Sequence, residues 1–228
     1  MRGILEGHLS MIFKNRSEAG RSLAWRLQKY ADRKDVVVLG IPRGGVSVAF
    51  EVAKALRATL DVLVLRKLGV PGHEELAFGA VALGGTRVLD RHILRTLNIA
   101  PEEVEVATAK ERAELLRREE TYRENLPALD VHGKIVILVD DGIATGASLL
   151  AGIRALRLLG PAKIVVAVPV APRESCERLI DEVEEIVCIA TPEPFGAVGQ
   201  FYDDFSEVRD GEVLELLAEQ TKSLIVTN

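Results

Sequence analysis

The sequence predicts an α/β fold in which helices flank a central, mainly parallel sheet of about five strands. Three observations support this class: short uninterrupted runs of Val, Ile and Leu, helical stretches between those runs, and a length of 228 residues, which is enough for a sizeable core. Uninterrupted apolar runs are typical of strands buried on both faces. Helices between such strands indicate right-handed crossovers and a parallel sheet. Because ligands of open parallel sheets bind at the carboxyl ends of the strands, we expect the ligand at that edge.

The first part of the chain alternates helix and strand. In chain order the pattern predicts a helix over 18–30 capped by Ser17, a strand at 36–40 (VVVLG), a helix over 46–57, a strand at 61–65 (DVLVL), and a hairpin of 77–83 with 86–89 around Gly84-Gly85.

A charged helical stretch then interrupts the alternation. From Asp90 to about Leu126 the spacing is helical, and Pro101 suits a first helical turn. Acidic and basic residues spaced four apart indicate a solvated face, with a partner-binding helix as the alternative. We therefore predict a helical insertion at about 87–133.

The alternation resumes after the insertion. The pattern predicts a strand at 134–140, a helix over 147–159, a strand at 162–170, a helix over 173–182, a strand at 184–190, a loop at 191–205 and a last helix over 210–221.

Composition restricts the classes of partner. The formal net charge is -5, from 29 basic and 34 acidic residues, which argues against a general nucleic-acid binder. No apolar run approaches the ~20 residues that span a bilayer, so no membrane partner is expected. Cys176 and Cys188 are too few for a disulfide framework, and Glu6 and His8 interrupt any signal-peptide core. We expect a cytoplasmic protein.

The most informative segment runs from Ile135 to Leu150, IVILVDDGIATGASLL. A buried strand ends in Asp140 and Asp141, and a loop with two glycines leads into a helix. Glycines let successive N–H groups converge, and the helix N-terminus adds its positive end, so the segment predicts a cradle for a phosphate dianion. A Walker loop needs a Lys where Ala147 stands, and the glycine spacing does not match a dinucleotide fingerprint.

Two carboxylates beside a phosphate cradle indicate a ligand that carries more than phosphate. Like charges repel, but carboxylates can accept hydrogen bonds from hydroxyl groups or hold a hard cation through water. A ribose 5-phosphate satisfies both conditions.

Residues 136–148, VILVDDGIATGAS, resemble the phosphoribosyl-pyrophosphate binding motif of type I phosphoribosyltransferases. The resemblance implies that Asp140 and Asp141 hold the ribose hydroxyls and, through water and the ribose, a Mg²⁺ cofactor. The residues that it assigns to the 5-phosphate are Gly142, Ile143, Ala144, Thr145, Gly146, Ala147 and Ser148.

Two further segments match the family at its pyrophosphate side. Arg43, Gly44 and Gly45 follow the first strand, where the family has a loop that grips pyrophosphate, and the glycines would let backbone N–H groups approach the anion. Arg66 and Lys67, after the second strand, match a basic pair of several family branches. The resemblance implies that Asp140, Asp141, Arg66 and Lys67 are the catalytic residues.

The implied activity is a transfer of the 5-phosphoribosyl group to a nitrogenous base or other small nucleophile, with release of pyrophosphate. Leu68–Gly79 occupies the place of the family's flexible loop, which closes over the reacting centre. Two alternatives stay open: a non-catalytic sensor of phosphoribosyl pyrophosphate, and hydrolysis of the same compound by water.

The resemblance also implies a small hood over the base, with elements near 1–34 and 191–228 of a single domain spanning 1–228. Phe195, Phe201 and Tyr202 are the candidates for stacking on a base. Ala144 stands where the 6-oxopurine branch has an aspartate, which disfavours hypoxanthine and guanine. The acceptor, any homo-oligomer and the role of the insertion are left open.

Overall fold

Five parallel strands form the central sheet of the computed structural model, which describes residues 13–70, 73–82, 85–123, 126 and 129–226. The strand order is β2-β1-β6-β7-β8, which confirms the predicted fold class. The bounds are β1 Val36–Gly40, β2 Thr59–Val62, β6 Ile135–Val139, β7 Lys163–Val170 and β8 Glu185–Ala190. All four strand pairings are parallel, so the carboxyl ends of these strands share one edge.

A second, antiparallel sheet holds three strands, namely β3 Leu65–Val70, β4 His73–Ala82 and β5 Thr86–Leu89. The predicted hairpin is therefore present, although Gly84 of its turn lies outside the described residues, as do residues 1–12 of the predicted hood. The single strand predicted at 61–65 is wrong, because β2 ends at Val62 and Leu65 begins a strand of the other sheet. Leu63 and Val64 are both buried, so the apolar run continues through the change of sheet and does not mark it.

Seven α-helices are described, in chain order α1 Arg16–Arg26, α2 Gly44–Leu56, α3 Arg91–Thr96, α4 Pro101–Arg123, α5 Ala147–Arg157, α6 Arg173–Leu179 and α7 Asp210–Val226. Ser17 is not the cap of α1. The side chain of Asn15 accepts a hydrogen bond from the Glu18 N–H at 3.0 Å, so the helix begins earlier than predicted. Within the described ranges, no helix is long and apolar enough to cross a membrane.

The core lies on both faces of the central sheet, because successive strand side chains point to opposite faces. In β1, Val36 and Val38 belong to the cluster that includes α1, α2 and α7. Val37 and Leu39 belong to the cluster that includes α5 and α6. The sheet is thus covered on both sides, as its apolar strands predict.

Helix α4 joins the first of these clusters through its buried residues Val104, Leu115 and Tyr122. It packs against β3, β4 and α7. The guanidinium of Arg123, its last residue, donates to both carboxylate oxygens of Asp61 in β2, at 2.9 and 3.0 Å. The helix is therefore anchored at its end, although its exposed positions match the predicted solvated face.

Helix α5 packs against the three-stranded sheet. At Gly152 the approach is close: a Cβ atom there would lie 3.0 Å from Cδ2 of Leu63 and 3.2 Å from Cδ2 of Leu65. The small sheet therefore lies directly beside α5, the helix that follows the loop after β6.

Candidate active site

A cavity of about 740 Å³ opens at the carboxyl edge of the central sheet, between this sheet and β3. It brings together seven of the residues predicted for the site: Arg43, Gly44, Arg66, Lys67, Asp140, Asp141 and Ser148. Its lining also includes Ala107, Lys110, Glu111 and Arg118 of α4. Segments that are far apart in the sequence thus meet where the parallel sheet predicts a ligand.

Asp140 and Asp141 follow β6 directly and form an acidic pair at this edge. The Asp141 N–H donates to Oδ1 of Asp140 at 2.9 Å. Burial, and secondarily the charge of Asp141, raise the pKa of Asp140 well above its ordinary value. Burial also raises the pKa of Asp141, against the opposing effect of Arg16. A cation or hydroxyl donors brought close to the pair would stabilise its ionised form.

Arg16, the first residue of α1, is a site residue that the sequence analysis missed. Its Nε donates to Oδ2 of Asp141 at 2.8 Å and its Nη1 donates to the Ser206 carbonyl at 2.8 Å. The guanidinium carbon lies 3.9 Å from the centre of the Phe205 ring. Arg16 and Asp141 are 125 positions apart, and no local pattern around Arg16 indicates the pairing.

Gly44 and Gly45 begin α2 beside the acidic pair. A Cβ atom at Gly44 would collide with Oδ2 of Asp141, and one at Gly45 would lie 2.8 Å from Oδ1 of Asp140. Only glycine permits this approach between the loop after β1 and the carboxylates. Arg43, the residue before the helix, forms an ion pair with Glu207.

The basic pair lies at the start of β3, in the small sheet. Both Nε and Nη2 of Arg66 lie 2.7 Å from Oε2 of Glu111 in α4, whereas Lys67 is exposed. Lys110 and Arg118 of α4 line the same cavity. These α4 residues were not predicted for the site, because their charge pattern is that of an ordinary solvated helix.

The loop between β6 and α5 leads directly into the N-terminus of α5. Gly146 takes a φ of +75° as the residue before α5, a backbone conformation that favours glycine. The first N–H groups of α5, including that of Ser148, have no partners within the helix. The exposed residues Ala144, Thr145 and Ala147 surround them.

Two contacts hold this loop in place. Ile143 is buried, and its N–H donates to the Val170 carbonyl at 2.9 Å. The Ser175 hydroxyl donates to the Ala144 carbonyl at 2.7 Å. Ile143 thus anchors the loop through its side chain and its N–H. The loop is also closely packed at Gly142, where a Cβ atom would lie 2.5 Å from Cγ1 of Val198.

The three aromatic residues predicted for the base are not among those that line the cavity. The rings of Phe195 and Phe201 lie 5.0 Å apart, and the ring of Tyr202 lies 5.7 Å from that of Phe13. The buried Tyr202 donates its hydroxyl to the Asp141 carbonyl at 2.6 Å, and burial raises its pKa. Tyr202 therefore supports the backbone of the acidic pair, and base stacking by these aromatics stays a prediction.

The donor chemistry of the site fits an indirectly held Mg²⁺. Among the described residues, no three or more His, Cys, Asp or Glu side chains come close enough to form a metal cage. The two carboxylates offer hard oxygen ligands in a setting where burial makes their charge costly. Mg²⁺ is commonly held by one or two carboxylates, water and substrate phosphates.

The residues that line this cavity lie within a region of the chain that is similar to known proteins. Residues 8–206 match the family described as "Phosphoribosyl transferase domain". A Mycobacterium tuberculosis H37Rv protein, whose name gives phosphoribosyl transferase as a provisional assignment, is 47% identical over 206 residues. That match covers 90% of this chain and 46% of the relative, so the chain spans about half the length of the curated relatives it matches.

Two solved structures are similar. The protein TT1426 from Thermus thermophilus is 44% identical with a TM-score of 0.83, over 92% of this chain and 99% of that one. A Neisseria gonorrhoeae protein solved with bound ppGpp is 13% identical with a TM-score of 0.50, over 97% of this chain and 100% of that one. At that identity the second likeness concerns the fold alone.

Proposed function

This chain belongs to the phosphoribosyl transferase domain family, and from that premise we propose that it transfers the 5-phosphoribosyl group from phosphoribosyl pyrophosphate to a nitrogenous base or another small nucleophile. The observation that carries the proposal is that the acidic pair, the glycine loop after β1 and the basic pair of β3 all line one cavity. The start of α5 reaches the same cavity through Ser148.

Each part of the site has a role in holding the sugar phosphate. The N–H groups at the start of α5 bind the 5-phosphate, because a helix N-terminus favours an anion. Asp140 and Asp141 accept hydrogen bonds from the ribose hydroxyls. Arg43, Arg66 and Lys67 bind the pyrophosphate, with arginine suited to paired phosphate oxygens.

The reaction is a displacement at the anomeric carbon. The nucleophile forms its bond there as the bond to pyrophosphate breaks, through an oxocarbenium-like state. The basic side chains stabilise the charge that develops on the leaving group, and a bound Mg²⁺ would supply additional positive charge there. Losing one preorganised donor of this kind costs about 10²–10³ in kcat in comparable oxyanion sites.

Titration calorimetry with phosphoribosyl pyrophosphate and Mg²⁺ tests the binding part of this proposal. We expect wild-type protein to bind, and Asp140→Asn combined with Asp141→Asn to bind at least about tenfold more weakly, because hydroxyl acceptors and cation ligands are removed. Asp181→Asn, at an exposed position outside the cavity, is the control and should match wild type. Absence of binding by wild type, or undiminished binding by the double variant, would overturn the proposal.

Pyrophosphate release with a panel of bases tests the chemistry. Release that depends on one base supports transfer, whereas release without any base would support hydrolysis. Tight binding without release for any base would replace the transfer proposal with that of a sensor. Ala144 lies exposed in the loop between β6 and α5, where the 6-oxopurine branch has an aspartate. We therefore expect weaker activity with hypoxanthine and guanine than with other bases.

A further inference from the structure

Helix α4 presents two adjacent residues of opposite charge to the cavity, Lys110 and Glu111. Both lie on the helical insertion, outside the segments that resemble the family motifs. The same helix is fixed to the central sheet and to the small sheet. Its side chains therefore meet the cavity from an anchored element, close to β3.

The arginines of the cavity are already paired with carboxylates of this chain. Arg66 contacts Glu111 through two nitrogens at 2.7 Å, and Arg43 pairs with Glu207. The third arginine, Arg118, pairs with Glu114 at 2.7 Å. Arg43 and Arg118 each pair through one nitrogen and keep other N–H donors, whereas Arg66 directs both Nε and Nη2 at Glu111, so a pyrophosphate that takes this edge of Arg66 must replace that carboxylate.

The two lysines of the cavity differ from its arginines. Among the described residues, neither Lys67 nor Lys110 has an ion pair or a side-chain hydrogen bond. They come from different elements, β3 and α4, and line one cavity. An anion that contacts either ammonium group displaces no carboxylate of the protein, so these lysines are the least costly first contacts for pyrophosphate.

We propose that α4 sets the affinity for pyrophosphate through two neighbouring residues with opposite effects: Lys110 binds the pyrophosphate group, and Glu111 competes with it for Arg66. Glu111 is largely shielded from water, with a side chain 15% exposed, so its charge acts on Arg66 with little screening. When pyrophosphate takes the guanidinium, Glu111 loses its partner, and that loss weakens binding. The inference rests on the proposed function, because it assigns the pyrophosphate end of the same ligand.

The test measures the binding of inorganic pyrophosphate with Mg²⁺ by titration calorimetry. Lys110→Gln removes the ammonium charge and should weaken binding by about three- to tenfold. Glu111→Gln keeps the size of the side chain but removes its charge, and it should tighten binding by about two- to fivefold. Matched controls are Lys54→Gln and Glu105→Gln, which remove like charges from pairs that do not line the cavity.

Ribose 5-phosphate separates this effect from a general structural one. It lacks the pyrophosphate group, so its dissociation constant should stay within about twofold of wild type in both variants, and melting temperatures will show that the variants are folded. A purely structural role for α4 would instead change the binding of both ligands in the same direction.

The outcomes distinguish a failure of the proposed function from a failure of the role of α4. If wild type binds neither pyrophosphate nor phosphoribosyl pyrophosphate, the proposed function itself fails. If wild type binds and either variant does not shift in its stated direction, only the role of α4 is overturned. Weaker binding by Glu111→Gln would show that Glu111 positions Arg66 rather than competing for it, which contradicts the proposal.

Discussion

The buried carboxyl group of Asp140 connects the candidate site to the stability of the fold. Burial raises its pKa in the folded protein, so the folded state keeps the proton to a higher pH than the unfolded state does. Stability is therefore lost as the pH rises from the ordinary aspartate range through the raised pKa, and it stays reduced above that pH. The ionised carboxyl group that we propose for ligand binding thus lowers the stability of the ligand-free protein.

Asp140→Asn should remove this cost. We expect its melting temperature to exceed that of wild type by a few degrees at pH 8, since ~1 kcal/mol corresponds to about 2–4 °C in a domain of this size. The difference should shrink toward pH 4, where the wild-type carboxyl group is protonated. Thermal unfolding followed across this range checks both points, with Asp181→Asn as the exposed control. A variant that melts below wild type at pH 8 would contradict the expected effect of burial.

Single site residues were predictable where local sequence encodes their chemistry. Asp140 and Asp141 close an apolar strand, and Gly44 follows another, so neighbouring residues alone place them at the sheet edge. Arg16 was not predictable, because its role depends on a partner 125 positions away. Lys110 was missed for a different reason: one more charge on a charged helix carries no signal until the helix is placed beside the cavity.

At the scale of elements, α4 is held by a charged contact at its carboxyl end. Asp61 is only 5% exposed, and burial raises its pKa although the nearby Arg123 lowers it. A buried carboxylate of this kind depends on its partner, because removal of one member leaves an uncompensated charge. This contact joins the helix that lines the cavity to the edge strand of the central sheet.

Arg123→Met should destabilise the protein by about 3–5 kcal/mol, because it leaves the carboxylate of Asp61 buried without its guanidinium. Adding Asp61→Asn to that variant should recover much of the loss, since the buried charge is then absent. Urea denaturation measures both changes. Arg117→Met removes an exposed arginine of the same helix and should cost less than about 1 kcal/mol. Equal losses from the two arginine variants would show that the contact with Asp61 is not special.

Element types followed from periodicity, whereas some boundaries did not. The buried runs VVVLG and IVILV became central strands as predicted. The run DVLVL divides between two sheets, because burial on both sides of the junction gives it the same apolar pattern throughout. The start of α1 was wrong because Asn15, and not the predicted Ser17, is its cap; both are good capping residues, and residue type alone does not separate them.

At the scale of the whole molecule, charge is distributed unevenly. The chain has a formal net charge of -5, yet the cavity lining contains five basic and three acidic side chains. An acidic protein can therefore present a cavity with a basic excess, because the fold collects Arg43, Arg66, Lys67, Lys110 and Arg118 from three separate segments. The net charge is a sum over the whole chain, so it gave no information on the cavity.

The close packing at Gly152 has a consequence for the length of the ligand. Helix α5 begins at the proposed phosphate loop, and β3, which it packs against, carries the basic pair. We therefore expect the contact of Gly152 with Leu63 and Leu65 to act as a spacer between the two ends of the proposed site. Gly152→Ala would force the side chains of Leu63 and Leu65 to give way by a few tenths of an ångström, and we expect part of this shift to reach the backbone of β3. Calorimetry should then show a greater loss of affinity for phosphoribosyl pyrophosphate than for ribose 5-phosphate or pyrophosphate alone, because neither fragment has to span the gap. Equal losses for all three ligands would contradict a spacer role. A greater loss for phosphoribosyl pyrophosphate would mean that apolar packing at Gly152 sets the length of ligand that the site accepts.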